Sequence, residues 1–164
     1  MMTSDVKQLL MVIDQAYNRP SWHGVNLRGS VRRVTPEQAA WRPAPKRHNI
    51  WETVVHAAYW KYAAWRRLTG TKRGSFPLEG SDFFERPADA TDAAWRADLR
   101  LLDAMHRDLR AAVAATPARA LGRRLPGSRV TRLRLITGVA DHDVYHAGQI
   151  QLLKKLYSLR RAGR

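Results

Sequence analysis

The chain has 164 residues and a formal net charge of +15, from 29 basic residues against 14 acidic ones. At 45% hydrophobic and 26% charged residues it has the composition of a folded domain, which excludes a disordered tail, and its length suits one well-buried core. With no cysteine, disulfides, zinc ribbons, iron–sulfur clusters and a cysteine nucleophile are all excluded, and six histidines are left as the soft metal ligands. One domain over residues 1–164 is the expectation. No apolar run approaches the length of a membrane span, and the start, with acids at Asp5 and Asp14, lacks a secretory cleavage pattern. The expected location is therefore cytoplasmic, with no membrane partner. Arginine supplies 23 of the basic residues, scattered through helices and loops and denser at Arg119–Arg134 and Lys154–Arg164. Without a recognisable DNA-binding motif, this charge predicts weak, nonspecific attraction to nucleic acid and no specific complex.

Helical signals dominate the chain. Val6, Leu9, Leu10, Ile13 and Tyr17 form a helical stripe over residues 3–17, which Pro20 ends. A second piece is expected over residues 22–33, and Thr35-Pro36 pairs an N-cap with proline at the first helical position of a short helix. Asn49 caps a strong helix to about Leu68, stopped by Gly70. Residues 70–90, with three glycines and two prolines, read as an irregular loop. Thr91 or Asp92 opens a helix to about Ala115 with Trp95, Leu99, Leu102, Leu109 and Val113 on one face. The last long helix runs from about Thr131 to Leu159. Four long helices predict an all-α fold, an antiparallel four-helix bundle with directions alternating along the chain.

The chemistry-bearing string is Asp141-His142-Asp143-Val144-Tyr145-His146-Ala147-Gly148-Gln149-Ile150. Residues four apart on a helix point the same way, so His142 and His146 share a face with Val139, Gln149, Ile150 and Leu153. Two imidazoles on an apolar face are costly unless their ring nitrogens are satisfied. A divalent ion does this by taking one nitrogen from each ring; hydrogen-bonded core histidines are the plainer alternative. The third ligand is open between His56, on a mixed face with Asn49, Glu52, Trp60 and Arg67, and His106, between Leu102 and Leu109 on an apolar face. His23 and His48 lie near loops or helix ends and are weaker candidates.

Asn49-Ile50-x-Glu52-x2-Val55-His56, followed by His142-x3-His146-x-Gly148-Gln149-Ile150, resembles the DinB/YfiT-like superfamily of metal-binding four-helix bundles. Trp41-Arg42-Pro43 and the segment from Trp95 to Leu99 extend the resemblance over most of the chain. The resemblance implies a three-histidine site of His56, His142 and His146 and disfavours His106. Glu52, Asp143 and Gln149 are candidates for supporting the ligands. It also implies a thiol-dependent S-transferase in detoxification or stress response, taking a divalent metal (zinc, nickel or iron), a low-molecular-weight thiol and a small-molecule electrophile. A metal-dependent hydrolase, or a binding protein without turnover, is the alternative. With no cysteine, the sulfur must come from a small molecule, and Arg67 is a candidate for recruiting an anionic one. A homodimer is expected from the resemblance and from Trp51, Tyr59, Trp60, Tyr62 and Trp65, more large rings than one buried stripe uses.

Overall fold

The computed structural model describes residues 3–87 and 89–162, and six helices order them. These are α1 (Ser4–Tyr17), α2 (Leu27–Ser30), α3 (Pro36–Ala40), α4 (Ile50–Thr69), α5 (Asp92–Ala115) and α6 (Arg132–Ala162). A single 3-10 turn (Ala118–Ala120) lies between the last two. There is no named strand among the described residues, so the all-α bundle is the observed fold, with α1, α4, α5 and α6 as its four long members.

The start signals act as their chemistry requires. The Thr35 hydroxyl accepts the Gln38 N–H at the head of α3, and Thr91 accepts that of Ala94 at the head of α5. Asn49 and Glu52 form a reciprocal capping box on α4. Gly70, at φ 76°, ends that helix in the left-handed region that glycine enters without a Cβ clash. The segment 22–33 contributes less helix than its sequence suggests: α2 is one turn, capped by Asn26.

Side-chain pairings give the helix directions. Asp14 meets Arg110 and Tyr17 meets Asp103, so α1 and α5 run antiparallel. Trp51 and Val54 share one apolar cluster with Ile150, and Ala64 shares the other with Ile136 and Val139, so α4 and α6 run antiparallel. Direction does not alternate along the chain, however. Trp51 donates to Asp98 at one level and Lys61 lies near His106 further along, so α4 and α5 run the same way. The long connection over residues 70–91 makes this possible by returning the chain to the end where α4 began.

The core is two apolar clusters with a polar layer between. One holds Leu27, Trp51, Val54, Trp95, Leu102 and Ile150; the other holds Val6, Leu10, Ile13, Leu109, Ile136 and Val139. At the junction Lys61 and Asp143, each 1% exposed, form an ion pair. Lys61 also sits 4.8 Å above the Tyr17 ring, on which His106 stacks at 3.7 Å. Several of the large rings of α4 pack within the chain, whereas Trp60 is 37% exposed. Trp51 is fully buried against Trp95, and Tyr59 and Tyr62 pack on Phe76 beneath the 70–91 connection. No helix among the described residues is long and apolar enough to cross a membrane.

Candidate metal centre

His56 lies in the second turn of α4, and His142 and His146 occupy one face near the middle of α6. Because α4 and α6 pack side by side, their imidazoles converge. His142 Nε2 stands 3.0 Å from His56 Nε2 and 3.0 Å from His146 Nε2. His56 and His146 are buried and His142 half-buried. Burial holds all three below the ordinary histidine value, His142 to about 3 and His146 to about 4, so they are neutral at physiological pH.

Hydrogen bonding at the far side of two rings fixes what faces the centre. His56 Nδ1 donates to the Asp82 carbonyl at 2.9 Å, and His146 Nδ1 donates to Gln149 Oε1 at 2.7 Å. Neither acceptor carries a proton, so each Nδ1 does, and each neutral ring turns a bare Nε2 lone pair inward. A proton on His142 Nε2 could serve only one of them well. A proton on His142 Nδ1 would be no better placed, since that atom is buried with no partner among the described residues. Hydrogen bonds therefore leave the cluster unsatisfied in either tautomer. One divalent ion satisfies it: bonds of about 2.0–2.1 Å to a shared ion put imidazole nitrogens about 3 Å apart. The three donors fit such an ion, and neutral imidazole suits zinc, nickel and iron alike.

The ring of His56 is clamped as well as hydrogen-bonded. Phe83 stacks on it at 3.9 Å and on its other face stacks on His48 at 3.6 Å. Asp82, with φ 68°, adds a carboxylate oxygen 3.3 Å from His56 Nδ1 and accepts the Trp60 indole N–H at 2.9 Å. An aspartate tolerates this left-handed backbone better than most residues.

Of the three supporting candidates, only Gln149 touches a ligand. Glu52 is buried away from the imidazoles, where it completes the α4 cap and pairs with Arg42 and His48. Burial alone would raise its carboxyl; the Arg42, His48 and Asn49 hydrogen bonds outweigh this and hold it below the ordinary value. Asp143 turns into the core toward Lys61, and burial pushes its carboxyl up to about 6 against the pull of that lysine. His106 is buried on its apolar face away from the cluster, with Nε2 3.5 Å from Asp14, its ring stacked on Tyr17 and its Nδ1 without a partner among the described residues. Arg67 shares a face with His56 but not a level. Eleven residues up the helix it is roughly 16 Å away, lining other cavities with Arg66 and Arg73. The cation beside the histidines is Arg47.

The histidines form the floor of a cleft of about 760 Å³. Phe83 and His48 make one side, Pro43, Ala44 and Arg47 the lip, and Tyr145, Leu152, Leu153 and Leu156 of α6 the other side. The model of the DinB superfamily matches residues 21–150, most of the chain and all three histidines. The chain belongs to the DinB superfamily. No curated protein and no solved structure matches it. In this DinB-superfamily chain, Asp82, Phe83 and Arg47 went unseen in the sequence. The first two lie in a connection without periodicity, and nothing local separates Arg47 from other loop arginines.

Proposed function

We propose that His56, His142 and His146 hold one divalent ion through Nε2 and that the protein is a metal-dependent, thiol-linked S-transferase acting on small electrophiles. The observation that carries the metal reading is the convergence of three Nε2 atoms, two of them bare and 3.0 Å from the third. Three neutral imidazoles leave a bound ion with open positions, where a thiol loses its proton and becomes a nucleophile at neutral pH. The chain's own groups prepare that site. Asp82 and Gln149 keep the protons of His56 and His146 on Nδ1, and Phe83 fixes the ring of His56. Because the chain has no cysteine, the sulfur belongs to a small-molecule cosubstrate. A role in detoxification or stress response follows from that chemistry, conjugation of a reactive carbon to sulfur.

The test is steady-state turnover of a halogenated aromatic by metal-loaded protein with and without a panel of thiols. Metal- and thiol-dependent release of halide supports the transferase. Equal turnover without thiol identifies a hydrolase, and no turnover in any combination identifies a binding protein.

A further inference from the structure

One face of α6 changes character along its length. His142, His146 and Gln149 occupy its first half, and Leu152, Leu153 and Leu156 continue the same face for two further turns. Helical rise puts this apolar stretch roughly 9–15 Å beyond His146. Leu152 is 59% exposed and Leu156 38%, and Tyr145, also on the cleft, is 63% exposed. Such exposure contributes nothing to the core; contiguous apolar surface left open beside a polar floor is the character of a ligand site. A cleft of about 760 Å³ falls in the range that encloses a small organic ligand.

The lip adds a charge. Arg42 is committed to Glu52 and to the carbonyl of Arg47, whereas the Arg47 guanidinium has no hydrogen-bond or ion-pair partner among the described residues. The cleft thus offers a donor-binding floor, an apolar wall about two turns long, and one uncommitted cation at its rim.

We infer that the site takes an elongated amphipathic ligand, with a metal-binding head at the histidines, an aliphatic or aromatic body along Leu152, Leu153 and Leu156, and an anionic group at Arg47. The inference rests on the metal reading above and names the ligand class for that site. A short, fully polar ligand would leave the leucine wall wet. A wholly neutral one would leave Arg47 unused.

The experiment uses cobalt(II)-loaded full-length protein and follows the cobalt–thiolate absorption on titration with mercaptoacetate, mercaptooctanoate and mercaptooctanol. Mercaptooctanoate should bind at least about tenfold tighter than mercaptoacetate, since each buried methylene favours binding. It should also bind about fivefold tighter than the alcohol, through the charged contact. Leu152→Gln/Leu156→Gln, at exposed positions, should abolish the chain-length gain, and Arg47→Gln should abolish the preference for acid over alcohol. Equal affinities across the three thiols, with cobalt bound, overturn the inference and leave the metal reading standing; failure to bind cobalt removes both. A wild-type dimer that becomes monomeric in the double leucine variant also overturns it, because a second copy of the chain would then cover the wall.

Discussion

His56 Nε2 and His142 Nε2 lie 3.0 Å apart across 86 residues of chain, and His56 directs a lone pair, not a proton, at that contact. A chain that wanted two hydrogen-bonded core histidines would give one ring a donor. Here the Asp82 carbonyl and Gln149 Oε1 remove that option from two of the three rings. The arrangement is costly without a cation and favourable with one, and the following expectations depend on that asymmetry and on the frame that sustains it.

Gln149 should matter through His146 alone. Gln149→Leu removes the acceptor that fixes the His146 tautomer, and metal affinity should fall about 10- to 100-fold. Competition with a chromophoric chelator checks this. Gln149→Glu, which keeps an acceptor oxygen, should recover most of the loss; an unaltered affinity in Gln149→Leu would remove Gln149 from the site.

The Lys61–Asp143 pair holds α4 and α6 together beside the histidines, Asp143 directly after His142, so its members should depend on each other. Lys61→Met or Asp143→Leu alone leaves a buried charge unpaired and should cost about 3–5 kcal/mol, whereas the double replacement should cost far less. Urea unfolding of the four proteins gives the cycle. Additive losses would mean that the two charges do not stabilise each other.

Acid should weaken the fold through His106. Burial, reinforced by Lys61, pushes it down to about 3. Asp14 and Tyr17 of α1, Lys61 of α4 and Arg110 of α5 surround it, and the Asp14 carboxylate only partly offsets the burial. Between the unfolded value of about 6.5 and about 3 the unfolded state binds the extra proton, so stability present above pH 6.5 is lost as pH falls. His106 alone should account for about 1 kcal/mol between pH 6.5 and 5.5. Chemical denaturation of wild type and His106→Leu measures it; an equal pH slope in both would remove His106 as a source.

The charge has a location after all. Six arginines and no acid lie between residues 116 and 140, and Arg66 and Arg67 in the last turn of α4 are followed by Lys72 and Arg73 without an acid before Glu79. A cavity of about 400 Å³ joins these segments at one end of the bundle, lined by Arg66, Arg67, Arg73 and residues 125–128. Binding to duplex DNA should be weak, insensitive to sequence and steeply reduced by salt, and Arg66→Glu/Arg67→Glu/Arg73→Glu should remove most of it. Fluorescence anisotropy across a salt series tests this. Sequence-selective binding that survives physiological salt would contradict it.

The histidines on α6 and the caps at Thr35, Asn49 and Thr91 were legible because their signals are local: four-residue spacing, and a side-chain oxygen just ahead of a helix. His56 carried no such mark. Its face mixes Glu52, Trp60 and Arg67, and it is buried between the α6 histidines and the residues Asp82 and Phe83 that fold over it. That connection has no period to read, so Asp82 and Phe83 were hidden. Arg67 shows the converse limit, since periodicity gives the azimuth of a residue but not which neighbour stands at its height. Leu153 is legible on the same face as the histidines, but the exposure of its neighbours Leu152 and Leu156 on the cleft is not. The parallel course of α4 and α5 likewise depends on contacts between distant segments, not on either helix alone.

Metal content tests the central claim most directly. Protein purified without chelator or metal-affinity resin, reconstituted with zinc and dialysed, should carry one equivalent by elemental analysis. His56→Ala, His142→Ala and His146→Ala should each lose most of it while keeping the helical circular dichroism of the parent, because the two apolar clusters supply the fold. His106→Ala should retain it. Full occupancy in the His142→Ala/His146→Ala double variant, or loss in His106→Ala with retention in His56→Ala, would contradict the assignment.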